Sequence, residues 1–332
     1  MSKTILEVRN LKKHFLQPGR FFTPFGGETG TIPAVDDVSF YIKENETMGL
    51  VGESGCGKTT IGKSILKLMP VTAGSINFDG KEIVDLTEGE FRPYRRQMQM
   101  IFQDLDAALN PRMRIRAVLK EAVCIGGRLS DSEVSRRISE LLEQVNIKKN
   151  KLSNYPHELS GGEKRRIGIA RTLAVGARFI VADEPTSALD VSIQAQVVNL
   201  LKDLQKELGL SYLFISHDLP IVELVSHKVA VMYLGKIVET GLSGRIAHAP
   251  RHPYTKILWS SLVERQSEEA SKVSKSLQGL FDFERPLRGC RFSPRCPVFE
   301  ARGRPSLCTD PDSEPLLENV DDVHKVACHF PL

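Results

Sequence analysis

Between Gly52 and Thr59 the chain reads G-x-x-x-x-G-K-T, a spacing whose chemistry is the binding of a nucleoside triphosphate. Glycines let the backbone fold tightly enough to aim successive N–H groups at phosphate oxygens, and a helix beginning at the end of the loop adds its positive end. The candidate phosphate cradle is Gly52, Glu53, Ser54, Gly55, Cys56, Gly57, Lys58, Thr59 and Thr60, with Lys58 reaching the β- and γ-phosphates and Thr59 ligating Mg2+. Downstream, FIVADE (Phe179 to Glu184) is an apolar run ending in two adjacent carboxylates. A Mg-nucleotide site needs such a pair at its far wall: Asp183 is expected to hold Mg2+ through water, and Glu184 to polarise the attacking water in line with the γ-phosphate.

These residues need rigid strands and well-placed helix ends. Thr47 to Gly52 reads as a short apolar strand feeding the loop, and Thr59 to Leu68 has helical apolar spacing. Strands are also expected at Ile5 to Leu11, Val35 to Ile42, Ser75 to Phe78 and Met98 to Phe102, with a surface excursion at Pro18 to Pro33 and a polar stretch before Met98. From about Ile115 to Val175 the chain is mostly helical, and its clearest helix is Asp131 to Val145 capped by Ser130. Strand and helix then alternate: Phe179 to Ala182, helix Val191 to Leu208 closed by Gly209, strand Tyr212 to Ile215, helix Pro220 to Val225, strand Val229 to Tyr233 and a hairpin at Leu234-Gly235 into Lys236 to Glu239. Alternation of short buried strands with helices predicts an α/β fold with a largely parallel sheet.

The 332 residues, 41% apolar and 26% charged, suit a globular chain of two domains. Composition shifts near Ala249 toward Pro, Arg, His and Cys, which divides the chain into 1–248, with a helical subdomain at about 104–176, and a tail at 249–332. No apolar run approaches the roughly 20 residues of a membrane helix, and MSKTILEVRN lacks a signal-peptide core, so a cytosolic chain is expected. A net charge of +4 with scattered basic clusters, among them Lys164, Arg165 and Arg166, does not point to nucleic acid.

LSGGEKRR, Leu159 to Arg166, resembles the signature of ATP-binding-cassette (ABC) ATPases. Physically, Ser160, Gly161 and Gly162 before a helix from Glu163 to about Leu173 make a second phosphate site, with a hydroxyl, bare N–H groups and a helix N-terminus. The resemblance implies a head-to-tail dimer in which this segment contacts the ATP held by the partner's phosphate loop. It also implies an ABC ATPase fold: a phosphate-loop core with a mostly parallel sheet, an antiparallel β subdomain and a helical signature subdomain. Other family elements follow in order. Phe15 stands where the family stacks an aromatic on adenine, although an isolated Phe is also an ordinary core residue. Gln103 matches the residue that senses Mg2+ and the attacking water and connects to the membrane partner. Ser187 to Asp190 matches the loop crossing the dimer interface, with Asp190 equally suited to capping a helix. His217 matches the switch histidine that touches the γ-phosphate.

FQDLDAALNPRM (Phe102 to Met113), YPHELSGG (Tyr155 to Gly162) and RHPYT (Arg251 to Thr255) are similar to ATPase subunits of dipeptide, oligopeptide and nickel importers. LKKHF (Leu11 to Phe15) and the insertion before AVDDVSF are more like the second of the two ATPases in such systems. The resemblance implies an ATPase at the cytoplasmic face of the cell membrane, peripheral, whose partners are two integral membrane permease subunits, a second ATPase subunit (paralogous or identical) and, indirectly, an extracytoplasmic solute-binding protein. No nucleic-acid partner is implied. The chain departs from the pattern at Glu163, where Gln is usual, and in having only ERPLRG (Glu284 to Gly289) of the Pro-rich run that precedes the first tail cysteine.

Four of the six cysteines, Cys290, Cys296, Cys308 and Cys328, crowd the tail with intervals C-x5-C-x11-C-x19-C, while Cys56 and Cys124 stand apart. The intervals are too wide for paired zinc knuckles, but four thiolates can close a tetrahedral zinc site or bind a [4Fe–4S] cluster, and free or disulfide-bonded thiols remain an alternative. Some members of the importer family carry such a cluster at similar cysteines, so a structural [4Fe–4S] cluster is the expectation here. The leading reading is thus an ATPase that energises peptide import; the alternative is a soluble ABC ATPase acting on nucleic acid or ribosomes. The alternative lacks support in the sequence, which has no long coiled coil, zinc-finger insertion or second cassette.

Overall fold

Runs that are apolar at every position become strands buried on both faces. In the computed structural model, which describes residues 3–16, 31–104, 109–127, 129–263 and 289–332, every residue of β3 (Thr47–Val51), β7 (Phe179–Asp183) and β8 (Ser211–Ile215) is buried. That is the pattern of parallel strands covered by helices. With β6 (Met98–Ile101) and β9 (Lys228–Tyr233) they form the parallel part of a mixed sheet, pairing β9-β3-β8-β7-β6.

A two-residue turn then reverses the chain. Leu234 and Gly235 both have positive φ, 41° and 86°, the backbone that matches the twist of a tight hairpin, and β10 (Lys236–Leu242) pairs antiparallel with β9. The tail continues the same sheet: β12 (His324–Val326) pairs with β10, and β11 (Glu318–Asp321) with β12. The order is therefore β11-β12-β10-β9-β3-β8-β7-β6, eight strands.

A second, antiparallel sheet of four strands has the order β2-β1-β4-β5, from β1 (Thr4–Leu16), β2 (Thr31–Lys43), β4 (Ala73–Phe78) and β5 (Lys81–Glu82). β1 runs past the expected Leu11 because register shifts along its pairing with β2 interrupt the two-residue period without ending the ladder. Between the sheets, α1 (Lys58–Ile65) buries Ile61 and Ile65 in an apolar cluster with Leu6, Val8, Phe78, Val181 and Ile215. The excursion expected at Pro18 to Pro33 lies mostly outside the described residues, as do residues 105–108 of the FQDLDAALNPRM run and residues 284–288 of the ERPLRG run.

The polar stretch before Met98, for which the sequence predicts no element, is a helix, α2 (Glu88–Gln97). Thr87 closes a capping box with Glu90, and only Phe91 is buried, so there is no apolar stripe to betray it. The helical region contains α3 (Ile115–Cys124), α4 (Asp131–Gln144) with Ser130 and Glu133 in a capping box, and α5 (Gly161–Ala174). Beyond it, α6 (Val191–Leu208) ends at Gly209 in the left-handed conformation, and α7 (Leu219–Val225) follows β8. The tail opens with α8 (Ser243–His248) and α9 (Pro253–Val263) and includes the short α10 (Pro297–Ala301). Among the described residues no helix is long and apolar enough to cross a membrane.

Candidate functional site

The loop from Gly52 to Gly57 leaves β3 and opens α1 against close backbone neighbours. A Cβ on Gly57, at φ +111°, would lie 2.1 Å from the carbonyl oxygen of Ala34, so no other residue fits there without moving β2. Lys58 is buried and donates from Nζ to the carbonyl oxygens of Gly52 and Glu53, both at 2.8 Å. Cys56, also buried, turns its thiol inward beside Lys58, and burial raises its pKa.

Ser54, Gly55, Gly57, Lys58, Thr59 and Thr60 line one open cleft of about 470 Å3 together with Gln103, Glu184 and His217. The order of motifs in the sequence thus becomes a single place. Thr59 Oγ1 donates to Asp183 Oδ1 at 3.1 Å. Asp183 is 3% exposed, and burial raises its pKa against the lowering effect of the Thr59 hydrogen bond. A buried carboxylate beside a hydroxyl is an all-oxygen donor set suited to Mg2+.

Glu184 follows at the end of β7 with a left-handed backbone, φ +46°, unusual for a Glu and of the kind that recurs at functional sites. The turn is secured by its N–H, which donates to the Ile215 carbonyl at 2.9 Å. Its carboxylate is held from two sides: Gln103 Nε2 donates to Oε2 at 2.7 Å, and His217 Nδ1 lies 3.0 Å from Oε1. Such a carboxylate has a fixed direction and one face toward the cleft, which is what a base acting on water at a γ-phosphate requires.

The other motif residues stand elsewhere. Among the described residues lining this cleft, Phe15, Ser160, Gly161, Gly162 and Asp190 do not appear. Phe15, 39% exposed near the end of β1, has the Lys13 ammonium 5.0 Å from its ring centroid. Ser160 caps α5: its hydroxyl accepts from the Glu163 N–H at 3.3 Å, and Glu163 Oε2 accepts from the Ser160 N–H at 3.0 Å. Glu163 is therefore a structural fit at this helix start, and its pKa is lowered by the Ser160 N–H and by Lys151. Gly162 lets α5 approach α6, since a Cβ there would lie 2.8 Å from Ile193 Cγ2. Asp190 caps α6, accepting from the Ile193 N–H at 3.0 Å. Ser160 and the exposed face around it leave a helix N-terminus open to an anion from outside the chain.

Arg165, part of a basic cluster in the sequence, is buried. Its guanidinium donates to the carbonyl oxygens of Phe102 (2.9 Å), Gln103 (3.3 Å) and Ser187 (3.3 Å), and desolvation lowers its pKa. One side chain on the signature helix thus ties the Gln103 strand end to the turn after Glu184. The signal available in the sequence was spacing: Gly162, Arg165, Ile169 and Thr172 recur at three and four residues along one face of α5, all buried.

In the tail, Cys290, Cys296, Cys308 and Cys328 line one small cavity with His252, Phe292 and His329, and all four are free thiols. Burial pushes Cys290 up to about 11 and Cys328 up to about 12. Among the described residues, however, no group of three or more His, Cys, Asp or Glu side chains is arranged to hold a metal ion. The expected cluster thus finds its four thiols together but no ready ligand geometry.

The chain matches the family described as "ABC transporter" over residues 35–187 and that described as "Oligopeptide/dipeptide transporter, C-terminal region" over residues 238–302. The oligopeptide transport ATP-binding protein AppF of Bacillus subtilis is 43% identical over 332 residues, covering 99% of this chain and 98% of that protein. OppF of the same organism, also named an oligopeptide transport ATP-binding protein, is 49% identical over 265 residues, 79% of this chain and 83% of that one. Among solved structures, the dimeric bacterial ABC transporter cassette MJ0796 aligns with a TM-score of 0.63 at 27% identity, over 72% of this chain and 98% of the other. CbiO1 of Clostridium perfringens aligns with a TM-score of 0.63 at 26% identity, over 82% and 99%. With a phosphate loop and a clamped glutamate in one cleft, a buried Mg2+-type carboxylate hydrogen-bonded to the loop's Thr59, and these relatives along nearly its whole length, the chain belongs to the ATP-binding subunits of ABC transporters, in the oligopeptide/dipeptide transporter family, and is an ATPase.

Proposed function

We propose that this chain energises the import of dipeptides or oligopeptides by closing and reopening a dimer of ATPase subunits that drives two permease subunits in the membrane. The observation that carries the hydrolytic half is Glu184, held between Gln103 and His217 at the end of the phosphate-loop cleft. In this reading the loop backbone, Lys58 and Thr60 bind the triphosphate. Thr59, Asp183 and Gln103 hold Mg2+, which would neutralise charge on the β- and γ-phosphates. Glu184 takes the proton of the attacking water, and His217 and Gln103 keep its carboxylate aimed. Phe15 stacks on adenine, and Asp190 lies at the dimer interface.

The transport half is supported by relatives named for oligopeptide transport and by the C-terminal region shared with them. Ser160, Gly161 and Gly162 lie outside the chain's own cleft, which favours their use by a partner subunit, identical or paralogous; a known dimeric cassette is among the structural relatives. The subunit would then sit on the cytoplasmic face of the membrane through its permeases, with a solute-binding protein delivering cargo on the other side. A division into a nucleotide-binding part, 1–248, with a helical subdomain at 104–176, and a cysteine-bearing part, 249–332, goes with this reading. A tagged copy is expected to bring down two membrane subunits from detergent-solubilised membranes. Salt-sensitive binding of DNA or RNA without membrane subunits would overturn the reading in favour of a nucleic-acid ATPase.

For the tail, we infer a [4Fe–4S] cluster at Cys290, Cys296, Cys308 and Cys328. The support is the convergence of four thiols, three of them buried and Cys328 half-buried, on one cavity, a donor set of sulfur alone; the lack of preset ligand geometry among the described residues weighs against it. Anaerobically purified protein is expected to contain iron and to absorb near 400 nm. Colourless, iron-free protein with full activity would end this assignment.

A further inference from the structure

Glu53, inside the phosphate loop, has all three of its polar groups committed. Its carboxylate accepts a two-pronged contact from Arg295, Nη2 to Oε1 at 2.8 Å and Nη1 to Oε2 at 3.1 Å. Its N–H donates to the hydroxyl of Tyr254 at 3.0 Å. Its carbonyl accepts from Lys58 Nζ at 2.8 Å. Two of these three holds come from the chain beyond residue 249.

The holders are themselves fixed. Tyr254 is fully buried at the start of α9, and its own N–H donates to His252 Nδ1 at 3.0 Å. Burial keeps His252 neutral, its pKa lowered to about 3, so that this nitrogen is free to accept. Arg295 packs its guanidinium 5.7 Å from the ring centroid of Tyr233, which lies 4.7 Å from Tyr254 and 5.3 Å from Phe292. Phe292 is buried in the cysteine cavity, and Arg295 immediately precedes Cys296, so the fold of the cysteine segment sets where the guanidinium sits.

A carboxylate one residue into a phosphate loop repels the polyphosphate that the loop must bind. A planar guanidinium that engages it with both prongs cancels that charge and locks the loop's direction at once. We propose that Arg295 and Tyr254 are positioning residues of the phosphate loop, supplied by the cysteine-bearing tail, so that the affinity of the core for ATP depends on the folded state of that tail. This inference rests on the nucleotide site proposed above.

The test uses the full-length chain with a fluorescent ATP analogue and steady-state hydrolysis. Arg295→Met keeps an unbranched side chain but removes the guanidinium and its charge; both Kd for the analogue and KM for ATP are expected to rise about tenfold, with kcat within about twofold, as for a charged hydrogen bond lost from ground-state binding. Arg295→Lys restores charge without the fork and should fall between. Tyr254→Phe deletes only the acceptor of the Glu53 N–H and should raise Kd about threefold; it keeps the inference open to refutation if Arg295→Met does not fold. In a Glu53→Gln background, Arg295→Met should change Kd less than about twofold, because the charge it offsets is gone. Lys58→Ala separates the two claims. If it loses ATP while Arg295→Met and Tyr254→Phe bind like the parent, the tail inference is overturned and the nucleotide site stands; if it binds ATP normally, the nucleotide site itself is misassigned.

Discussion

Glu184→Gln is expected to bind ATP at least as tightly as the parent while its turnover falls about 10²- to 10³-fold, the contribution of a well-placed general base. The substitution is nearly isosteric. An amide oxygen can still accept from Gln103 Nε2, and the amide N–H2 can donate to His217 Nδ1 when that nitrogen is unprotonated, so both contacts that hold the side chain survive. What is lost is the basic oxygen. Removing a negative charge beside the γ-phosphate also lowers repulsion in the loaded cleft, so an ATP-bound dimer should accumulate. Size-exclusion chromatography with ATP and a phosphate-release assay read both effects. Turnover within tenfold of the parent would rule Glu184 out as the base.

Ser160→Arg is expected to abolish ATP-dependent dimerisation, and with it hydrolysis, while leaving ATP binding by the monomer within about twofold. Ser160 is exposed and away from the chain's own cleft, so the phosphate loop does not feel the change. The substitution removes the cap of α5, a local cost of about 1 kcal/mol, which shows as a modest drop in melting temperature. Its larger effect is bulk: a seven-heavy-atom side chain fills the space at the helix start where a partner's phosphate is proposed to lie. Analytical ultracentrifugation with and without ATP decides it. A dimer that still forms with ATP would refute the use of Ser160 by a partner.

Much of this architecture could be read from the residues. The phosphate loop, the strand ending in Asp183 and Glu184, and helix Val191–Leu208 with its terminal Gly209 all carry local chemistry: a glycine spacing, a carboxylate pair, a left-handed cap. Where the determinants are not local, the sequence was silent. Helix Glu88–Gln97 buries one side chain, so no stripe marks it, and only the Thr87 and Glu90 pair at its start was available as a signal. Strand Glu318–Asp321 lacks alternation because edge pairing, not a buried face, makes it a strand, and His324–Val326, although it alternates buried, exposed, buried, is only three residues long. Arg165 and Arg295 look like surface charge until the fold brings them to carbonyl oxygens or to a carboxylate far away in the chain. For the site, motif order gave the candidates, but the convergence of Gln103, Glu184 and His217 depends on three strand ends meeting.

The tail hairpin has one more effect, on how these molecules behave when crowded. Strand Lys236–Leu242 would otherwise end the large sheet with an open row of N–H and C=O groups and with Ile237 and Val238, both largely buried now, near solvent. An open, apolar strand edge invites another chain to add itself, which is the start of aggregation. The hairpin moves that border outward to Glu318–Asp321, a short strand with every residue exposed and a carboxylate at each end. It is anchored by Glu239, fully buried, which accepts from the Arg251 and His252 N–H groups and bonds His324 at 2.6 Å. Cutting the chain at the compositional boundary near Ala249 would strand that carboxylate in an apolar wall and uncover the edge, so a core without its tail is expected to adhere to its own copies.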